Sequence, residues 1–145
     1  YSMFHREKIE NEYLQIFKNI GLGTTIWSPL AAGVLTGKYN EGIPEDSRLG
    51  IKGFEWLVQK QLNDDRIQKV KELKDIADEL STSLPCLAIA WCLKNPHVST
   101  AILGATKTSQ LEENLKSMEV LPKLTADIMQ RIESVLQNKP VLPEW

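Results

Sequence analysis

The fold is decided by residues 23–33, which read GTTIWSPLAAG, and by the run VSTAILG at residues 98–104. Each run opens with β-branched, aromatic or small apolar residues and is bounded by glycine or proline, which is typical of a short buried strand. The two runs are too far apart in sequence to form a hairpin, and amphipathic stretches that indicate helices surround them. Strands separated by helices predict an α/β fold with parallel strands.

Apolar spacing predicts helices in the remaining regular segments. The segment 85–94 is apolar on most sides, which predicts a buried helix. In the segment 109–118, Ser109 and Glu112 form a capping-box pattern, and an inward face is expected at Leu111, Leu115 and Met118. Thr125 is the expected N-cap of the last helix. The predicted helices cover residues 9–20, 64–80, 85–94, 109–118 and 125–137.

Composition excludes several classes of function. The chain has 145 residues, and 17 Lys and Arg against 19 Asp and Glu leave a net charge of −2, which offers nucleic acid or an anionic membrane no bulk attraction. No apolar run approaches the ~18 residues of a membrane-spanning helix. Cys86 and Cys92 lie in one apolar segment, which is neither a disulfide framework nor a metal site. These features predict a cytoplasmic protein, and no metal-binding residue is predicted.

A candidate ligand site lies where the two predicted strands end. Ligands of parallel α/β folds bind at the carboxyl ends of the strands, and the segments 27–33 and 104–108 leave those ends. Gly104 permits a close approach of the backbone, Thr106 supplies a hydroxyl, and the helix that follows presents free N–H groups to an anion. An ordinary strand-to-helix turn is the commoner explanation of the same residues.

Other polar and aromatic residues have two interpretations each. Trp27 offers a flat face for a stacked ring, although a core tryptophan is commoner. Lys38, Arg48 and Lys52 punctuate the long irregular stretch 28–63, which is typical of a functional or mobile loop, and they either reach an anionic ligand or lie on a solvated surface. Three polar residues of the predicted helix 109–118 also have two interpretations. They either bind an adenine edge and ribose or lie on an ordinary helix surface, and they are Gln110, Glu113 and Asn114.

Several separated motifs, in order and with consistent spacing, resemble the aldo-keto reductase superfamily. They are WSPLA at 27–31 followed by Gly33, GKY at 37–39, AIAWCL at 88–93, GAT at 104–106, and QL then EN within 110–114. Within the superfamily the chain is most similar to the beta subunits of voltage-gated potassium channels. That likeness rests on MFHREK at 3–8, GIPEDSR at 42–48, KGFEWL at 52–57 and VLPKL at 120–124. Asp46 departs from the pattern of those subunits, because they carry an aromatic residue at that position.

The resemblance implies a (β/α)8 TIM barrel that binds NADPH at the carboxyl ends of its strands. Trp27 would stack on the nicotinamide, residues 28–33 would line the pyrophosphate, and the 104–114 region would bind adenosine. Lys38 and Arg48 would hold the phosphates, including the 2′-phosphate of adenosine. The implied cofactor residues are Trp27, Ser28, Pro29, Leu30, Ala31, Gly33, Lys38, Arg48, Gly104, Thr106, Gln110, Glu113 and Asn114.

The length implies that only part of this barrel is present. A (β/α)8 barrel needs ~250 residues and eight strands, whereas the chain begins at Tyr1 and contains two clear strand signals. Residues 1–145 are therefore expected to be the C-terminal half of a single NADP-dependent oxidoreductase domain whose N-terminal half is absent. The catalytic residues of the family lie in that first half, so no catalytic residue is assigned.

Two functions follow from the resemblance. The first is a cytoplasmic beta subunit, a homotetramer at full length, that binds the cytoplasmic domain of a voltage-gated potassium channel alpha subunit at the inner face of the plasma membrane and regulates the channel. The second is a metabolic NADPH-dependent aldo-keto reductase that reduces aldehydes or ketones. The cofactor residues do not separate the two, because both need the same pocket.

Overall fold

Two parallel strands form the sheet of the computed structural model, which describes residues 1–142. Strand β1 covers Thr24–Trp27 and strand β2 covers Val98–Ile102. Thr25 pairs with Thr100, and Trp27 pairs with Ile102. The predicted parallel arrangement is therefore confirmed, although β2 ends one residue before the predicted Leu103.

Seven α-helices and several shorter turns surround this sheet within the described residues. A π-helical turn covers Lys8–Glu12, and 3-10 turns cover Ala31–Thr36, Arg48–Gly50 and Leu121–Lys123. The α-helices are α1 (Leu14–Ile20), α2 (Glu55–Gln61), α3 (Asp64–Glu79), α4 (Leu84–Leu93), α5 (Thr108–Leu115), α6 (Ser117–Val120) and α7 (Ala126–Leu136). No single helix among residues 1–142 is long and apolar enough to cross a membrane. Helices α3 and α4, which meet at a bend of 90°, are together long and apolar enough by length and composition only.

The structure corrects three of the predicted elements. The helix predicted over 9–20 is divided, because a π-helical turn precedes α1. The irregular stretch 28–63 contains the short helix α2, whose buried Leu57 and Gln61 give too few inward positions for a visible period. The capping box at Ser109 is wrong: α5 begins at Thr108, and Lys107 stands at the N-cap without a side-chain hydrogen bond.

Helix α4 is the centre of the core, as its composition predicts. Ser83 caps it by accepting a hydrogen bond from the backbone N–H of Cys86, and Pro85 occupies its first turn, where a missing N–H costs nothing. The helix packs against β2, α3, α5 and α6. Its buried residues are Leu84, Cys86, Leu87, Ala88, Ile89, Ala90, Trp91 and Cys92.

The sheet is covered on one face and open on the other. Ile26 of β1 points to the covered face and is 3% exposed. On the opposite face Trp27 is 71% exposed and Ile102 is 56% exposed, and Thr25 and Thr100 beside them are also exposed. The helices therefore form a layer on one face of the strands, and the other face lies open within the described residues.

A buried arginine joins the start of the chain to α7. Arg6 is 5% exposed and pairs with Glu10 at 2.7 Å and with Glu133 at 2.8 Å. Its guanidinium also lies 5.1 Å from the ring centroid of Trp91, the position of a cation–π contact. Removal of this arginine would leave two carboxylates without their partner, so the cluster holds the described ends of the chain together.

Candidate functional site

The parallel register brings the two predicted ligand-binding segments to one edge of the sheet. Because Trp27 pairs with Ile102, the chain leaves both strands at the same level and on the same side. The segment after β1 starts at Ser28, and the segment after β2 reaches Gly104 two residues beyond the last strand residue. The sequence prediction that both segments face one side is confirmed.

The segment after β1 has an unusual backbone. The φ angles of Ser28, Ala31, Ala32 and Gly33 are 56°, 48°, 58° and 94°, all in the left-handed region that residues with a side chain rarely adopt. Two hydrogen bonds stabilise the turn: Ala31 N–H donates to Ser28 O at 3.0 Å, and Gly33 N–H donates to the carbonyl of Leu30 at 2.9 Å. Strained backbone of this kind clusters at ligand sites.

Lys38 returns across this turn. A Cβ placed on Gly33 would lie 2.8 Å from Cε of the flexible Lys38 side chain, and the φ of 94° at Gly33 itself favours glycine. The ammonium group lies 5.2 Å from the ring centroid of Tyr39 and remains exposed to solvent. The positive charge of Lys38 is therefore held beside the turn that follows Trp27.

Tyr39 is a structural residue of the site that sequence reasoning missed. Its side chain is buried, its hydroxyl donates to the carbonyl of Ala32 at 3.3 Å, and it accepts from the N–H of Leu49 at 3.4 Å. These bonds tie the turn after β1 to the turn that contains Arg48, whose side chain is exposed. The GKY motif at 37–39 contains this tyrosine, but its sequence context does not show which residues it contacts.

The segment after β2 is open and is braced by its own helix. Gln110 Oε1 accepts from the N–H of Thr106 at 2.9 Å and from its hydroxyl at 3.3 Å. No atom lies within 4 Å of the position that a Cβ on Gly104 would occupy. Gly104 and Thr106 are exposed, so this segment presents free backbone surface to solvent.

Glu113 and Asn114 differ from the surface polar residues that the sequence suggested. Asn114 is 5% exposed and faces the interior. Glu113 Oε2 lies 2.8 Å from Lys116 Nζ, and hydrogen bonds from Lys116 and then Ser83 lower the pKa of the Glu113 carboxyl. Glu113 is therefore a fixed anion beside the start of α4.

Some of the predicted site residues line a cavity, and others lie on open surface. A cavity of about 650 Å³ lies between α3, α4 and α5, and its lining includes Glu113, Lys116 and, from the segment after β1, Thr36. A second cavity of about 350 Å³ lies near Tyr1 and Trp91. Trp27, Lys38 and Gly104 line neither cavity and lie on open surface. Within residues 1–142, no group of three His, Cys, Asp or Glu residues is arranged to hold a metal ion.

The open surface at the ends of β1 and β2 carries several of the predicted site residues. These residues are an exposed indole at the end of β1, a glycine with free space in front of it after β2, and exposed lysine and arginine side chains in the segment after β1. An aromatic face, close backbone approach and cations are what a ring, a pyrophosphate and a phosphate monoester require. The remaining predicted residues, Ser28, Pro29 and Leu30, form the path between Trp27 and the left-handed turn.

Comparison with known proteins gives one family and several relatives. The family model of the aldo/keto reductase family matches residues 1–137. A protein of Arabidopsis thaliana named probable voltage-gated potassium channel subunit beta is 52% identical over 145 residues, which is 99% of this chain and 44% of the relative. A protein of the same name from Oryza sativa subsp. japonica is 51% identical over 141 residues, 97% of this chain and 43% of the relative.

The fold is also found in a solved structure. The glycerol dehydrogenase of Gluconobacter oxydans matches the whole chain with a TM-score of 0.70 at 22% identity, over 44% of its own length. This likeness shows the fold alone: the described residues form part of a (β/α)8 barrel of the aldo-keto reductase type. The chain spans less than half the length of the curated relatives it matches.

Proposed function

The chain belongs to the aldo/keto reductase family, and on that premise we propose that it is part of an NADPH-binding beta subunit that associates with a voltage-gated potassium channel and regulates it. The observation that carries the proposal is the 52% identity over nearly the whole chain to a relative of that name. The matched residues include both the cofactor segments and the motifs outside them. We further propose a homotetramer that acts in the cytoplasm at the inner face of the plasma membrane.

Family membership implies a nicotinamide cofactor, and we propose NADPH. In this proposal Trp27 stacks on the nicotinamide, which supplies a hydride when bound. Residues 28–33 line the pyrophosphate, and Lys38 and Arg48 neutralise phosphates, including the 2′-phosphate. Gly104, Thr106, Gln110, Glu113 and Asn114 bind the adenosine end. The exposed indole and the open space at Gly104 support these roles. Asp46, two residues before Arg48, would repel a nearby phosphate and so weakens this part of the site.

We also propose that residues 1–145 are the C-terminal half of one barrel. The open inner face of the sheet supports this, because Trp27 and Ile102 expose apolar surface that the other strands of a barrel would enclose. A two-stranded sheet also has open edges, which need partners. The catalytic residues of the reductase reaction would then lie in the other half of the barrel.

The association is tested by co-purification of the full-length protein with the cytoplasmic domain of a voltage-gated potassium channel alpha subunit. An established channel beta subunit serves as the positive control under the same conditions. We expect the two proteins to elute together, with four copies of each by mass measurement. Failure to associate where the control binds would reject the channel function.

A metabolic reductase is the second candidate, and the family match over residues 1–137 supports it equally. This candidate predicts rapid oxidation of NADPH by simple aldehydes or ketones without any channel association. Cofactor binding is tested separately by fluorescence titration. We expect the isolated chain to bind NADPH poorly, because half of the cofactor wall would be absent. Binding at micromolar concentrations or tighter by residues 1–145 would contradict the half-barrel proposal.

A further inference from the structure

Glu113 is held by contacts from two directions. Lys116, the residue that follows α5, donates from Nζ to Oε2 at 2.8 Å. From α4, the thiol of Cys86 lies 3.0 Å from the backbone carbonyl of Glu113 and 3.6 Å from Oε1. The Glu113 side chain nevertheless keeps 37% of its surface exposed, on the wall of the cavity of about 650 Å³. The carboxylate is thus fixed but accessible.

The contact from Cys86 also fixes α5 against α4. The buried positions of α5 and α6 that face the interior include the polar Asn114 and Ser117, while Leu111 and Leu115 are exposed. Val120 of α6 is the buried apolar residue on this side, so α5 itself contributes little apolar packing and the hydrogen bond from Cys86 helps to place it. Cys86 is completely buried, and burial raises the pKa of its thiol, which keeps the proton that it donates.

We propose that Lys116 and Cys86 are positioning residues that hold the Glu113 carboxylate ready to accept a hydrogen bond from the exocyclic amine of the cofactor's adenine. This inference rests on the proposed function, in which Glu113 contacts the adenosine end. A half-exposed glutamate samples several rotamers, and ordering it at the moment of binding costs entropy. The contacts from Lys116 and Cys86, together with the hydrogen bond from Ser83, remove part of that cost in advance, so adenine is distinguished from a purine that lacks the amine.

The test compares NADPH with its hypoxanthine analogue, which carries a carbonyl oxygen in place of the amine. Dissociation constants are measured by fluorescence titration of the full-length protein. We expect the unmodified protein to prefer adenine about tenfold, since the carbonyl oxygen of the analogue cannot donate to the carboxylate and repels it. Lys116→Met and Cys86→Ala are each expected to lower this preference about threefold, the effect of one exposed ion pair or weak hydrogen bond. Lys116→Arg and Cys86→Ser retain a donor and are expected to restore most of it.

Lys74→Met is the matched control. Lys74 lines the same cavity but pairs with Asp78 at 2.6 Å, so its loss changes the charge without touching Glu113. We expect it to weaken both cofactors equally and to leave the preference unchanged. Since the preference is a ratio, a general loss of stability or charge cancels, and Cys86→Ala provides a second measurement if Lys116→Met folds poorly.

The possible outcomes distinguish failure of the positioning role from failure of the proposed NADPH-binding function. If the unmodified protein binds NADPH but the preference is the same in Lys116→Met and Cys86→Ala, the positioning role is rejected and the cofactor site stands. If the two donor-retaining variants lose as much preference as the others, the role is again rejected. If the unmodified full-length protein does not bind NADPH, the proposed function itself fails and the inference fails with it.

Discussion

Helices α4 and α5 differ in what they bury, although their sequences predict an inward apolar face for both. In α4 the apolar residues lie in the core, and Leu87 is 0% exposed. In α5 the expected inward residues are outside: Leu111 is 44% exposed and Leu115 is 59% exposed, and Met118 of α6 is 60% exposed. The prediction that these three residues face inward is wrong for the described part of the chain. Apolar spacing finds a face but does not say which neighbour covers it.

The two faces of the sheet differ in burial in the same way as helices α4 and α5. Ile26 packs against the helices, whereas Trp27 and Ile102 face open space. The packed side is complete within the described residues, and the open side carries both the proposed ligand surface and the apolar residues that the proposed remainder of the barrel would enclose. The packed side therefore determines stability, and the open side is where we expect ligand binding to be measured.

The largest expected effect contrasts a leucine from each helix. Leu87→Ala is expected to lower the free energy of unfolding by about 2–5 kcal/mol, because it leaves a cavity in the core. Leu115→Ala is expected to change it by less than about 0.5 kcal/mol, since the side chain is exposed. Urea unfolding of the purified protein measures both. An equal loss in the two variants would show that Leu115 is buried in that protein and would end the contrast.

The next effect belongs to the open side. Arg48→Met is expected to weaken NADPH binding about tenfold, because a guanidinium–phosphate hydrogen bond is lost, and to weaken NADH binding much less. Lys52→Met, in the same loop, is the control and is expected to change neither. Fluorescence titration of the full-length protein with both cofactors provides the measurement. Equal weakening of NADH would exclude a role for Arg48 at the 2′-phosphate.

A smaller effect compares two helix caps. The hydroxyl of Thr125 accepts from the N–H of Ile128 at 3.3 Å, so the predicted cap of α7 is confirmed. Thr125→Ala is expected to cost about 1 kcal/mol of unfolding free energy. Ser109→Ala is expected to be within about 0.5 kcal/mol of neutral, because Ser109 lies inside α5 and does not cap it. If Ser109→Ala lowered the free energy of unfolding as much as Thr125→Ala, Ser109 would act as a helix cap, contrary to the structure.

The smallest effect is a pH dependence from His5, near the start of the chain and outside the sheet. Burial, with the positive charge of Arg66 next in importance, lowers the pKa of His5 to about 4. The unfolded chain binds a proton near pH 6.5 and the folded chain does not, so stability is expected to fall as the pH decreases from 6.5 towards 4. Part of the residue is exposed to water, which limits the effect to about 1 kcal/mol. The slope should be smaller in His5→Gln, and an unchanged slope would exclude His5 as its source.

The strands and the long helices could largely be predicted from the sequence. For the candidate site, the sequence predicted its location at the ends of the two strands but not the contacts within it. The runs at 23–27 and 98–103 contain their own β-branched residues and their own glycine or proline boundaries, so local sequence suffices to find them. Thr125 and Ser83 cap helices through contacts three residues away. By contrast, the role of Tyr39 depends on Ala32 and Leu49, which come together only in the folded loop. The contact between Cys86 and Glu113 likewise spans two helices.

The sequence by itself determined the α/β class, the parallel order of the strands and the family, because these depend on local patterns and on motifs with consistent spacing. Only the tertiary structure decided which faces are covered. Asn114 is buried while Leu115 beside it is exposed, and Trp27 is exposed at the end of a strand whose Ile26 is buried. Burial is a relation between distant segments, and the hydrophobic effect depends on the area that those neighbours remove from water.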